Sequence, residues 1–177
     1  QSDIIMEMDE KDEFLLARGS LFYFQYRFQE MIPLMEKTIE LDSDSPWAYD
    51  WLGMAYNGLE QHEKSIETYF KAFELADGLV EVGGGLGHAL ALGGEPQLAK
   101  YMADYYDNAS ESKYLPPVQR SFIHLGLGEY DKALELLEQA YNENSWFLLF
   151  MQVEHWYDPV REDPRFIDIM NRMKYPE

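Results

Sequence analysis

The sequence predicts an all-α fold, a row of helical hairpins stacked one on the next, and three observations carry that prediction. Gly19, Gly53 and Gly87 recur at an interval of 34 residues, and the pairs Leu41/Leu75 and Leu52/Leu86 keep the same interval. Apolar residues follow helical spacing: Ile66, Tyr69, Phe70 and Phe73 fall at i, i+3, i+4 and i+7. Small residues such as Gly53 and Ala72 fall where two helices must approach closely, with large aromatics beside them.

Frames starting at Asp12, Pro46, Val80 and Tyr114 align without an insertion, which divides the chain into repeats 12–45, 46–79, 80–113 and 114–147. An extension, 1–11, precedes them and a helical cap, 148–177, follows. Position 8 of the frame is then Gly19, Gly53, Gly87 and Ser121. Position 20 is Met31, Ser65, Ala99 and Ala133, and position 27 is Thr38, Ala72, Tyr106 and Ala140.

The first repeat carries Pro33 inside its second helix, where an interior proline costs about 3 kcal/mol and is expected to kink or restart the helix. Asp42-Ser43-Asp44-Ser45 ends that unit and offers N-cap oxygens to the next. In the second repeat Tyr49, Leu52, Gly53 and Tyr56 mark the first helix, and Leu59-Glu60-Gln61 makes a short polar turn. The third repeat places Gly83-Gly84-Gly85-Leu86-Gly87-His88 inside its first helix. Each glycine there costs about 0.5–1 kcal/mol relative to alanine, so this helix is expected to be the weakest element. Two explanations stand open at this point, a close helix crossing and a bare patch where a ligand backbone approaches. Pro96, after Gly93-Gly94-Glu95, suits the first turn of a helix.

Beyond the repeats, Ser145 is placed to cap a helix from Trp146 to about Trp156, which Asp158-Pro159 stops. The run from Trp146 to Met151 is the longest apolar stretch and suits a buried helix. Asp163 caps a last helix with Pro164 in its first turn, and Phe166, Ile169, Met170 and Met173 share one face of it. A stack of repeats exposes the apolar face of its outer unit, and such a helix covers it.

On these residues the units resemble tetratricopeptide repeats, 34-residue helix–turn–helix units with small residues at positions 8, 20 and 27. Trp51-Leu52-Gly53-Met54-Ala55-Tyr56 with Ala72 matches that pattern best, together with Leu127-Gly128-Glu129-Tyr130-Asp131-Lys132-Ala133 with Ala140. The resemblance covers residues 12–147; repeats one and three depart from it, with Arg18 for the usual leucine and Pro96 at a position often aromatic. It implies a right-handed α-solenoid and a role in protein–protein recognition. The segment from Asp158 to Phe166 resembles the closing segment of repeat arrays in bacterial multidomain regulators of cyclase, kinase or winged-helix type. That implies a fragment of a longer signalling or regulatory chain, located in the cytoplasm.

Composition narrows the chemistry. The 177 residues include 33 acidic and 14 basic side chains, a net charge of −19, and no cysteine. Disulfides, cysteine-ligated zinc and a catalytic thiol are thereby excluded. So acidic a surface repels phosphate backbones and anionic lipid, so neither nucleic acid nor membrane is expected as a partner. No stretch approaches the ~18 apolar residues of a membrane span.

The histidines His62, His88, His124 and His155 show neither i, i+4 pairing nor an HExxH arrangement. The glycine run lacks the Lys-Ser/Thr of a phosphate loop, and no nucleophile elbow or kinase signature is present. We therefore expect no enzyme activity, no metal and no cofactor.

In stacked repeats of this kind, positions 2, 5, 9 and 12 of the first helices line a concave groove. Here they are Glu13, Leu16, Ser20 and Tyr23, then Trp47, Asp50, Met54 and Asn57, then Glu81, Gly84, His88 and Ala91. Leu115, Val118, Phe122 and Leu125 complete the set, with packing against the tail as their alternative role. Aromatic and methionine residues beside acids are what recognition of a peptide or helix uses. The carboxylate clamp of chaperone-binding members is not assembled, because Leu16, Asp50, Ser20 and Met54 replace its lysine and asparagine. The groove therefore favours a basic or apolar ligand. Self-association into a homodimer, and a small-ligand pocket near Trp47, Gly84 and His88, are the alternatives.

Overall fold

The computed structural model describes residues 12–173, with side chains from Phe14 onward. The expected extension 1–11, the side chain of Glu13 and the last residues of the cap lie outside the described residues. Every regular element among the described residues is helical, and the chain forms two compact units, Gln1–Gly78 and Leu79–Glu177.

The first unit holds α1 (Asp12–Phe24), α2 (Phe28–Leu41), α3 (Pro46–Gly58) and α4 (His62–Leu75). The second holds α5 (Val80–Leu92), α6 (Pro96–Ala109), α7 (Pro117–Gly126), α8 (Tyr130–Asn142) and α9 (Pro164–Met173), with two 3₁₀ turns, Trp146–Phe150 and His155–Val160, before α9. The first helices of the hairpins start at 12, 46 and 80, and the second at 28, 62, 96 and 130, in both series 34 residues apart. Only α7 starts late, at Pro117, because Pro116 and Pro117 delay it.

The turn inside each hairpin is the same structure four times over. The N–H groups of Arg27, Gln61, Glu95 and Glu129 donate to the carbonyls of Phe22, Tyr56, Leu90 and His124, each at 2.9 Å. That six-residue closure needs a left-handed residue just before its donor. Tyr26 (φ 59°), Glu60 (58°), Gly94 (90°) and Gly128 (71°) supply it, again 34 residues apart.

Within the first unit α1 pairs with α2 and α3 with α4, while α3 also packs against α1 and α2. Its core is Tyr23, Phe28, Met31, Met35, Leu52 and Ala55. A Cβ on Gly53 would lie 2.9 Å from the Tyr69 ring, so glycine is what lets α3 and α4 close. The Ser65 hydroxyl donates to the Gly53 carbonyl at 2.9 Å, which joins positions 8 and 20 of that hairpin directly. Pro33 does not restart its helix. It sits on the exposed side of a continuous α2 whose buried residues, Met31, Met35 and Thr38, hold the other side in the core. Ser45 stands at the N-cap of α3 without a side-chain cap bond; Pro46, which lacks an N–H, takes the first helical position, and Asp42 instead accepts from the Asp44 N–H.

In the second unit α5 packs on α6 and α7, and α7 pairs with α8. The glycine run of α5 is packing. A Cβ on Gly84 would stand 2.5 Å from the Gln119 carbonyl oxygen of α7, one on Gly87 2.7 Å from Ile123, and one on Gly83 would overlap the Tyr106 hydroxyl of α6. Tyr106 is the large residue at position 27 of its repeat, so Gly83 gives the room that position 27 takes.

A chain of charges crosses α6, α7 and α8. Arg120, almost fully buried, donates through Nη2 to Asp107 (2.6 Å), whose other oxygen lies 3.4 Å from His124 Nε2. His124 Nδ1 donates to Glu129 at 2.7 Å, and Lys100 lies 3.0 Å from the same carboxylate. Desolvation acts to raise the Glu129 carboxyl, but the bonds from His124 and Lys100 outweigh it and hold the group below its usual range. Pairing of this kind is what makes buried charge tolerable.

The cap departs from expectation between Trp146 and Trp156. Instead of one buried helix there are two 3₁₀ turns, and Trp146 and Leu149 are exposed. Pro159 lies inside the second turn, and Ser145 accepts no cap bond from the first. Asp163 does cap α9, accepting from the Arg165 N–H at 2.8 Å. α9 packs on α8 through Phe166 and Ile169, and its Arg165 and Arg172 pair with Asp131 and Glu138 of α8.

Candidate recognition surface

The first-helix positions differ between the two units. In the first unit α1 and α3 lie side by side. Trp47, Asp50, Met54 and Asn57 run along one stripe of α3, because they are spaced three, four and three residues apart. Trp47 is exposed (44%) and makes no ring contact among the described residues. Asp50 and Met54 are half-buried, as are Leu16 and Ser20 on α1. Met54 and Leu16 rest on the Tyr23 cluster, and the Ser20 hydroxyl donates to the Ala17 carbonyl at 2.8 Å. Tyr23 and Asn57 are buried; Tyr23 turns its ring into the core, edge-on to Trp51 at 5.4 Å. The open part of this face is thus Leu16, Ser20, Trp47, Asp50 and Met54.

Asp50 is the unusual group. It makes no hydrogen bond or ion pair among the described residues, and desolvation pushes its carboxyl up to about 7.

In the second unit the corresponding face is already covered. Gly84 lies under the backbone of α7, and His88 is buried with its ring stacked on Trp156, 4.5 Å between centroids and 17° from parallel. Phe122 meets the same indole edge-on at 4.6 Å and Tyr157 at 5.6 Å. Val118 and Leu125 are buried in the cluster that contains Tyr157 and Val160. Gly84 and His88, expected on an open groove or a small-ligand pocket, therefore present no surface there, since a turn of the same chain occupies the space. Phe122 takes the alternative role, packing against the tail. Glu81 is half-buried and accepts no hydrogen bond among the described residues.

The roles of Trp156 and Tyr157 were invisible to sequence reasoning. They follow Glu154-His155 in a stretch whose periodicity reads as helix, and nothing local announces a turn that folds back onto α5 and α7. Among the described residues no group of His, Asp and Glu is arranged to hold a metal ion, and no helix is long and apolar enough to cross a membrane.

Hairpins that repeat at an interval of 34 residues with one turn geometry define an array of α-helical repeats. The particular repeat is indicated by residues 48–78, across α3 and α4, which match the family model described as the tetratricopeptide repeat. Among solved structures the chain is similar to YrrB, described as a tetratricopeptide repeat protein with an unusual peptide-binding site. The two share 17% identity at a TM-score of 0.55, over 97% of this chain and 89% of that one. This likeness shows the fold. No curated protein matches the chain.

Proposed function

We propose that this protein is a non-catalytic recognition module that binds a peptide or helix of another protein on the α1–α3 face of its first unit. The observation that carries the reading is Trp47: a large indole stands exposed beside the half-buried Asp50 and Met54. Exposed aromatics framed by polar groups are favoured anchors of protein interfaces. The peptide-binding description of YrrB supports the same reading by analogy of fold alone. Selection of a displayed peptide library on the wild-type chain, followed by affinity measurement on a Trp47→Ala, Met54→Ala double variant, tests it. Binding weakened at least tenfold with unchanged helicity is expected; unchanged affinity refutes this placement.

A second reading, self-association, is favoured by Leu98, Tyr101 and Tyr105, which are exposed along one side of α6. Sedimentation at high protein concentration tests it, and a strict monomer overturns it. We place the module in a bacterial signalling or transcriptional regulator on the resemblance of the Asp158 to Phe166 segment. A full reading frame with no catalytic or DNA-binding domain overturns that placement.

A further inference from the structure

Carboxylates withdrawn from water need a partner, because desolvation penalises the charged form. Among the described residues the half-buried or buried carboxylates are Asp50, Glu81, Asp107, Glu129, Glu138, Glu154 and Asp163. Asp107 holds Arg120, Glu129 holds His124 and Lys100, Glu138 holds Arg172, and Asp163 holds Arg165. Glu154 accepts from the Trp156 N–H and lies 3.2 Å from His155. Asp50 and Glu81 are left over, and both lie on first helices at positions that stacked repeats turn toward a ligand.

Among the described residues of the first unit, no lysine or arginine pairs with Asp50. Arg27 pairs with Glu30, Lys37 with Glu40 and Lys71 with Glu74. Lys64 lies over the Tyr56 ring at 5.3 Å, and Arg18 lies 5.9 Å from the centre of the Phe22 ring. One helical turn before Asp50 stands Trp47, exposed and free of ring contacts among the described residues; one turn after it stands Met54. An indole face attracts an ammonium or guanidinium group, and a long basic side chain lays its methylenes on apolar surface while its head reaches a carboxylate.

We propose that the α3 stripe Trp47–Asp50–Met54 is a socket for one lysine or arginine side chain of the partner protein, a reading that rests on the recognition surface proposed above. The charged head pairs with Asp50, the stem crosses Trp47, and Met54 bounds the apolar end. Arginine is the better fit, since its planar head both stacks on indole and pairs with carboxylate.

The probes are three blocked pentapeptides, acetyl-Gly-Leu-Arg-Leu-Gly-amide and the same peptide with Lys or Gln at the centre. Binding is followed by the indole N–H resonance of Trp47. The Arg and Lys peptides are expected to bind at least tenfold more tightly than the Gln peptide. Asp50→Asn, a near-isosteric change, is expected to bring the Arg peptide down to the Gln level. Equal affinity for Arg and Gln peptides on the wild-type chain overturns the socket while leaving the surface reading intact. So does an Arg peptide indifferent to Asp50→Asn. If no peptide moves the Trp47 resonance, both the socket and the surface fail. Should Asp50→Asn not fold, the comparison of peptides on the wild-type chain decides alone.

Discussion

The imidazole of His88 lies flat on the indole of Trp156, their centroids 4.5 Å apart, although 68 positions of sequence separate them. This contact converts the inner face of the second unit into core. Trp156→Ala should therefore act as a core truncation and destabilise the second unit by about 3–5 kcal/mol. Urea unfolding followed by far-ultraviolet circular dichroism measures it. Trp156→Phe, which keeps an aromatic against His88 and Phe122, should lose much less. A loss under about 0.5 kcal/mol for the alanine variant would mark the turn as loosely held.

The four hairpin turns make an internal experiment. Glu60 and Tyr26 adopt the same left-handed backbone that Gly94 and Gly128 adopt. A non-glycine residue there carries about 1–2 kcal/mol of strain, offset in part by the lower chain entropy it brings. Glu60→Gly should stabilise the first unit by about 0.5–1 kcal/mol. Gly128→Ala should destabilise the second by a similar amount, and for backbone reasons alone, since a Cβ there meets nothing within 4 Å. Thermal unfolding of both variants checks the opposite signs.

Gly84→Ala sets a methyl 2.5 Å from the Gln119 carbonyl oxygen, which is backbone and cannot swing away. Overpacking of that kind costs about 1–3 kcal/mol. Gly83→Ala meets the Tyr106 hydroxyl instead, so Tyr106→Phe should recover part of its loss and none of the loss from Gly84→Ala. A double-mutant cycle reads the difference.

Asp50 predicts a pH effect of definite sign. Its carboxyl rises from an ordinary value of 3.8 to about 7 in the folded chain. Between those values the folded chain holds a proton that the unfolded chain has released, so stability falls as pH rises through that window. Asp50→Asn has no proton to lose there. Its melting temperature should exceed the wild type's by a margin that is small near pH 5 and larger near pH 8. Equal melting temperatures at both pH values would contradict the assignment.

Much of this architecture is written in the residues. The interval set by Gly19, Gly53 and Gly87 recurs in the helix starts and in the turn hydrogen bonds, because small residues and left-handed turns are local requirements that repeat with the unit. Pro96 and Asp163 mark helix starts for the same local reason. Trp146 to Trp156 misled because a run of large apolar residues fits a buried helix as well as it fits 3₁₀ turns pressed onto a neighbour. The candidate surface was less legible. Position numbers identified the faces of α1, α3 and α5, but whether a face is open depends on distant segments, and Trp156 covers His88. Tyr23 stands at a groove position by its place in the repeat, whereas its size and apolar ring draw it into the core.

The recurring turn has a consequence for what evolution or an engineer can change. An α-helix advances about 100° per residue, so one residue added or lost inside any helix would swing its position-8 or position-20 side chain off its contact. Substitution is tolerated wherever the volume suits; a change of length within a helix is not. The stretch between Ala109 and Pro117 lies outside the helices and is the longest connection from α1 to α8, since α7 starts three residues later than its predecessors. That connection is where this chain can take an inserted loop, tag or domain without losing phase.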